Sequence, residues 1–444
     1  MSVLSWNRKQ PLVLDASGSA AHLVSRRYAW GVFAMVFALA LTDYIDRQII
    51  VSTFPYLKKE WGLSDTALGA LMSVVSITIA VCALPAARLA DRWGRVKSVA
   101  AMGGLWSIAT IGCALSGNYA QLLASRALLG TGEAGYGPAG GALLAGYFPQ
   151  RLRATVMSAF QAAGPLGAVL GVLLGGVMTV HWGWRVTLGA FGVPGLLLAL
   201  VFRRVRDYRT PAVAAGADRT AAPPAAQAGG IGLRATLREL SRTRTATWCY
   251  LGGALNLMVL STVYTWLPAY LGRAYGLTAD KAGAKAALVI LAGFFGAIAS
   301  GYLADRWAAT RPRRRLLVPT GLALVTAALL CTAFGALAPG GLQFGLVLAA
   351  GFPLAAALGT APAVVVDVVP PSLRATAIGM VVLVQNLFGL AVGPVLTGWL
   401  SDAFGLRTAL GVMPLFCVGG AVALWLASRT YERDLANVAA AASR

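Results

Sequence analysis

Long apolar stretches dominate the chain, separated by short polar connections. Twelve of them run at roughly 29–54, 66–87, 98–116, 119–147, 154–180, 184–202, 247–271, 281–303, 316–338, 342–366, 374–400 and 406–428. About 20 apolar residues in a helix cross the hydrocarbon layer of a bilayer, so each stretch predicts one pass. The stretches are continuous rather than alternating with a period of two, which excludes a β-barrel. In lipid, the helix is then the form that pairs every backbone amide. Residues 1–27 are polar and lead directly into a run long enough to span, so no cleavable leader is expected. The pattern predicts an all-α membrane protein with twelve transmembrane helices.

The chain also repeats itself. Trp61-Gly62-Leu63-Ser64 returns as Tyr275-Gly276-Leu277-Thr278, and Leu89-Ala90-Asp91-Arg92-Trp93 returns unchanged as Leu303-Ala304-Asp305-Arg306-Trp307, both 214 residues later. Leu152-Arg153-Ala154-Thr155 returns as Leu373-Arg374-Ala375-Thr376 after 221 residues, and Gly183-x-Arg185 as Gly405-x-Arg407 after 222. An insertion such as the basic loop 311–315 accounts for the change of offset. Matches in one order at nearly one spacing imply two pseudo-symmetric six-helix bundles in parallel orientation, an architecture that places a carrier's site between its halves. The halves are then residues 1–203 and 246–444, joined by a cytoplasmic linker at 204–245. Its segment 211–230 is rich in Ala, Pro and Gly, and 233–240 reads as a short basic surface helix. Ser64 and Thr278 stand where a hydroxyl caps the second and eighth spans.

Composition agrees with this picture: 58% of residues are hydrophobic, 12% are charged, and the mean hydropathy is +0.70. The net charge of +21 invites a nucleic-acid reading, but the placement of the charge removes it. Of 37 Lys and Arg, 28 fall on one side of the predicted topology and 7 on the other. That bias orients a multi-pass inner-membrane protein with both termini in the cytoplasm. The five cysteines lie within apolar stretches without a C-x-x-C pair, and neither disulfide nor metal chemistry is indicated.

Candidate chemistry stands out because charge inside lipid is costly, about 2.5–3.5 kcal/mol per residue on insertion scales. Of 53 charged residues, Asp43, Asp46, Arg47, Arg126 and Glu133 lie well inside apolar stretches. Positions 43, 46 and 47 share one helical face, and 126 and 133 lie two turns apart on another helix. By depth, Asp46 and Arg126 can pair, while Glu133 lies deeper. Burial favours a neutral carboxylate and a nearby guanidinium favours an ionised one, the competition a proton-coupled switch requires. The alternative is a static ion-pair network tying the first and fourth helices together. In the second half, Asn256, Tyr264, Trp266, Gln385 and Asn386 are the polar and aromatic candidates for a cavity wall. Gly167, Gly171 and Gly175, and Gly389 with Gly393, form small-residue stripes, and Gly164-Pro165 and Gly393-Pro394 predict matching kinks.

The loop Ala87-Arg88-Leu89-Ala90-Asp91-Arg92-Trp93-Gly94-Arg95 resembles the signature of the major facilitator superfamily, with Ala87 where Gly is usual. The second copy around Gly301 and Asp305 keeps the glycine and lacks the following Gly-Arg. The resemblance implies a cytoplasmic latch built from Asp91, Arg92, Arg95, Asp305 and Arg306, with Arg153 and Arg374 in the repeated loops beside it. Asp43-Tyr44-Ile45-Asp46-Arg47, Trp106-Ser107-Ile108-Ala109-Thr110, Arg126 with Gly130-Thr131-Gly132-Glu133-Ala134-Gly135, and Gly183-Trp184-Arg185 look like the spinster-type branch, except that Asp43 replaces the usual Asn. That likeness implies a monomeric proton-coupled carrier of an amphipathic, lipid-like small molecule. Anion–cation symporter relatives place similar residues, so small organic anions (sugar acids, carboxylates) are the alternative cargo, and a non-transporting sensor is a third reading. Glu133 is expected as the proton acceptor, Arg126 as its partner or as a clamp for a substrate anion, and Asp46 with Arg47 as the rest of the network. Gly130-x-Gly132-x-x-Gly135 imitates a dinucleotide fingerprint but sits inside a span without a preceding strand. No phosphate loop, H-E-x-x-H or nucleophile elbow is present, so neither a cofactor nor catalysis is expected.

Overall fold

The computed structural model describes residues 12–13, 25–205, 208–209, 243–309, 311–370 and 373–442. The segment 211–230 and the basic helix expected at 233–240 lie outside them. Apart from a two-residue parallel pairing of Leu12–Val13 with Tyr208–Arg209, the regular structure is helical.

In the first half, α1 (Arg26–Ile49) passes through a 3-10 turn into α2 (Phe54–Trp61), followed by α3 (Asp65–Trp93), α4 (Arg95–Leu115) and α5 (Tyr119–Tyr147). After these come α6 (Gln150–Gln161), α7 (Ala163–Gly189) and α8 (Gly192–Phe202). The second half holds α9 (Arg244–Tyr275), α10 (Ala279–Ala308), α11 (Arg314–Ala336), α12 (Gly341–Leu354) and α13 (Ala357–Asp367). Last are α14 (Arg374–Val384), a π-turn (Gln385–Leu390), α15 (Val392–Phe404), α16 (Leu406–Val412) and α17 (Leu415–Ala442).

Ten described stretches are long and apolar enough to cross a membrane. One, Thr155–Phe202, has 48 residues, about 72 Å as straight helix against a hydrocarbon layer of about 30 Å. It breaks at Gly183, whose φ is 79°, and therefore carries two passes. The 29-residue α5, packed along α3 and α4, completes twelve.

The sequence repeats turn out to be structural punctuation. Gly62 and Gly276 end α2 and α9 at φ of 63° and 64°, and Gly183 and Gly405 turn the chain at 79° and 84°, a region that favours glycine. Arg407, two residues past its glycine, donates to the carbonyls of Phe334 and Leu337, both at 2.9 Å. Arg185 instead pairs with Glu60 at 2.9 Å. The expected kinks fall one turn before each Gly-Pro. Proline cannot donate to the carbonyl four residues back, and α6 ends at Gln161 while the π-turn ends at Leu390, the two carbonyls left without that partner.

Small residues set the packing. A methyl on Gly167, Gly171 or Gly175 would fall 2.4–2.9 Å from Tyr44, Ile45 or Ile49, so α7 lies directly on α1. Gly389 and Gly393 bring the second half's equivalent, the α14–α15 rod, onto α9. The same device joins the halves: Gly69 and Gly398 seat α3 against α15, and Gly176 and Gly283 seat α7 against α10, each with a notional methyl 2.4–2.6 Å from a backbone oxygen.

These seams lie at one end of the molecule, where α3 and α10 begin. There a single buried core runs through both halves, with Ile49, Phe54, Leu68 and Val172 packed among Val259, Val263, Trp266 and Ile290. Toward the opposite end the core divides, one cluster from Ala29 to Val205 and a separate one from Ala246 to Tyr431.

Candidate functional site

Glu133 stands midway along α5 and is buried to 1% side-chain exposure. Its Oε2 accepts an ion-paired hydrogen bond from Nη2 of Arg47 on α1, whose side chain is 21% exposed. Its other oxygen, Oε1, is buried with no hydrogen bond among the described residues. The Arg47 guanidinium also lies over the Tyr44 ring, 5.5 Å from its centroid. Asp46 is 2% exposed and turns the other way, to α4, where its Oδ2 accepts from the Thr110 hydroxyl at 3.1 Å and from Trp106 Nε1 at 3.4 Å. Asp43, one turn earlier, is buried to 1% exposure.

Arg126 is not the partner of Glu133 in this structure, which leaves the other expectation, a clamp for a substrate anion. It makes no ion pair among the described residues: its Nε donates to the Leu71 carbonyl on α3 at 3.3 Å, and it acts on Asp46 only through space. The partner of Glu133 is therefore Arg47. The sequence fixes depth along each helix but not rotation about it, and the face carrying 43, 46 and 47 divides its charges between two neighbouring helices. Asp46, Arg47, Arg126 and Glu133 are nonetheless brought into one region, with Arg126 on its α3 side. Chemically, the arrangement holds one partly exposed cation on a deeply buried carboxylate, with a second cation and carboxylate beside it.

The expected cavity wall in the second half is mostly packing in this structure. Trp266 is fully buried, packs on Phe54 with centroids 5.5 Å apart, and donates from Nε1 to the Pro394 carbonyl at 3.0 Å. The indole thus serves the carbonyl region of a kinked helix. Asn256 is 5% exposed, donates to Gly252 at 2.8 Å and abuts Gly420, while Asn386 is buried and donates to Val382 at 2.9 Å. Gln385 and Tyr264 are half-buried. The Tyr264 carbonyl accepts from Gln48 on α1 at 2.9 Å, a bond that crosses between the halves. Gln48 was not singled out from the sequence, although it is a polar residue one turn beyond Tyr44 in an apolar helix.

The end where α3 and α10 begin is closed by a charge cluster that the sequence did not reveal. Asp65, the first residue of α3, accepts from Arg273 of α9 at 2.5 and 2.7 Å, from Lys58 at 2.6 Å and from Ser401 of α15 at 2.6 Å. In return, Asp402 of α15 accepts from the backbone amides of Asp65 and Thr66, both at 2.8 Å. Asp402 thereby caps a helix of the other half, and Ser64 caps it from within through the Ala67 amide at 3.1 Å. Thr278 differs: its side chain makes no cap bond to α10.

At the opposite end, Asp305 pairs with Arg315 at 2.8 Å, and Arg315 also holds Asp367 at 2.8 Å, all within the second half. Arg306 donates to Tyr302, Arg153 to the Phe148 carbonyl, and Arg374 is exposed. Among the described residues, no hydrogen bond or ion pair crosses between the halves at Asp305, Arg306, Arg153 or Arg374. The side chains of Asp91, Arg92 and Arg95 lie outside the described residues.

Comparison with known proteins agrees with this architecture. The Major Facilitator Superfamily profile matches residues 36–389 and 307–443. An MFS-type efflux pump of Mycolicibacterium smegmatis is 30% identical over 92% of this chain and 95% of its own. A gallate transporter of Pseudomonas putida is 28% identical over 89% of this chain and 91% of its own. Among solved structures, a bacterial homologue of the human lysosomal transporter Spinster, inward-facing and unoccupied, superposes with a TM-score of 0.80 at 23% identity, covering 93% of this chain and 99% of that one. The chain belongs to the major facilitator superfamily: it is a transporter and not an enzyme.

Proposed function

We propose that this major facilitator is a proton-coupled secondary transporter of a small organic anion, working by alternating access between residues 1–203 and 246–444. The observation that carries the reading is the Arg47–Glu133 pair, a partly exposed guanidinium held by a buried carboxylate. Protonation of Glu133 removes the negative charge from that pair and frees Arg47 to bind a substrate carboxylate, for which a guanidinium fork is suited. Proton and anion are then coupled because both act on one side chain. Arg126 supplies a second positive charge, and Asp46 a second proton-accepting carboxylate. An aromatic-acid carrier among the full-length relatives supports a carboxylate cargo.

The amphipathic, lipid-like cargo implied by the spinster-type motifs is the competing reading, since the fold likeness to the Spinster homologue is strong. On this reading the protein is a monomer of the inner membrane with the Asp65 end outside and the Asp305 end in the cytoplasm, an orientation that the charge bias supports. The asymmetric core then corresponds to a state closed outside. Uptake of gallate, a hexuronate and a lysophospholipid into proteoliposomes under an imposed pH gradient separates the cargos. Gradient-dependent uptake of either acid, competed by the other carboxylates, is the expected result. Gradient-dependent movement of the lysophospholipid alone would replace the anion reading with the amphipathic one.

A further inference from the structure

Trp106 and Thr110 lie one turn apart on α4, and the proposed coupling leaves them without a role. Both side chains end on the same atom, Oδ2 of Asp46, at 3.4 and 3.1 Å. We infer that Trp106 and Thr110 are positioning residues for Asp46: they fix Oδ2 as a permanent acceptor, so that the proton is taken up and released at Oδ1. The inference rests on the reading above that Asp46 shares in proton coupling.

The chemistry of the two donors carries the argument. An indole N–H donates and never accepts, so a proton placed on the oxygen it faces would oppose it. The indole is packed directly against Gly195 of α8, so closely that a methyl there would fall 2.6 Å from its ring. The threonine hydroxyl is adaptable: its single proton has two acceptors in reach, Asp46 Oδ2 at 3.1 Å and the Trp106 carbonyl at 3.1 Å. It stays bonded if Asp46 moves during transport, and a buried orphan is avoided in both states. Asp46, Trp106 and Thr110 are all at or below 2% exposure, so water does not substitute for these bonds. Among the described residues no hydrogen bond falls on Oδ1. The charged and titratable groups facing the carboxylate are Arg126 and Glu133 of α5 and the Cys113 thiol of α4, while Asp43 and Arg47 are its near neighbours along α1. These charges govern when the proton binds, and the α4 pair governs where.

The test is pH-difference infrared spectroscopy of the purified full chain, which needs no substrate. Asp46→Asn identifies the carbonyl stretch of the protonated Asp46. Thr110→Val and Trp106→Phe each remove one donor from that carbonyl, and each is expected to move the band to higher frequency. Thr110→Ser is expected to return it to the wild-type position, an outcome a merely space-filling role would not produce. Trp106→Phe keeps an aromatic ring in the pocket and carries the test alone if Thr110→Val does not fold. A band unmoved by the variants would overturn the inference and leave the coupling proposal standing. A wild-type protein with no band assignable to Asp46 would overturn it together with Asp46's part in that coupling.

Discussion

Arg47 and Glu133 show why intramembrane charge is so informative at the scale of single residues. Each alone is expensive in lipid, and together they are tolerated because the carboxylate meets a guanidinium in a buried contact. Removing one partner leaves the other charge buried and unpaired. Arg47→Ala is therefore expected to destabilise the protein by about 3–5 kcal/mol, and adding Glu133→Gln to recover most of that loss. Thermal unfolding in detergent measures both, and a double variant no more stable than Arg47→Ala would show the pair to be energetically idle. These five residues stood out in the sequence, because polar positions in long apolar runs have few explanations. Their pairing was not: the choice of Arg47 over Arg126 depends on how α1 is rotated against α5. Trp106 and Thr110 were visible as a motif, but their common target, Asp46, is 60 and 64 residues away.

Helices pack here through glycine where other folds interdigitate larger side chains. The stripe Gly167, Gly171, Gly175 leaves α1 no clearance for a methyl, so Gly171→Val forces its side chain into the Ile45 carbonyl and the Gln48 side chain. The expected cost is about 1–3 kcal/mol, as for overpacking in a soluble core, with reduced folded yield on size-exclusion chromatography. An unchanged yield and melting temperature would mean that α1 and α7 separate without penalty. The spacing of these glycines was readable from the chain, as were the kinks at Gly-Pro. The subdivision of single apolar runs into α1 with α2, or α14 with α15, was not. Hydropathy does not register a 3-10 turn or a π-turn, both of which remain apolar.

For the whole molecule, duplication was the most legible feature, since four ordered matches at nearly one offset define two halves. The way the halves dock was hidden. Asp65 and Asp402 look like ordinary loop-end acids in sequence, and only docking shows each serving the other half. On the proposed alternating-access reading, this reciprocal cluster is a latch at the Asp65 end whose strength sets the balance between the two access states. Loss of two or three hydrogen bonds of about 1 kcal/mol each shifts such a balance by about 30- to 150-fold. Asp402→Ala is expected to increase labelling of a cysteine introduced at the buried Thr262 by a membrane-impermeant reagent in a cysteine-free background, and Asp65→Asn to do so more strongly. Labelling equal to the parent in both variants would mean that the apolar core and the glycine seams alone keep this end shut.

The central claim is that one proton-accepting carboxylate, Glu133, couples the gradient to an anion through Arg47. Its most direct test compares two fluxes in the same proteoliposomes loaded with an accepted acid such as gallate: exchange at equal pH, and net uptake driven by a pH gradient. In Glu133→Gln, which keeps the shape of the side chain but loses the titration, exchange is predicted to persist while gradient-driven accumulation falls to the level of the uncoupled control. Accumulation as strong as in wild type would contradict the account.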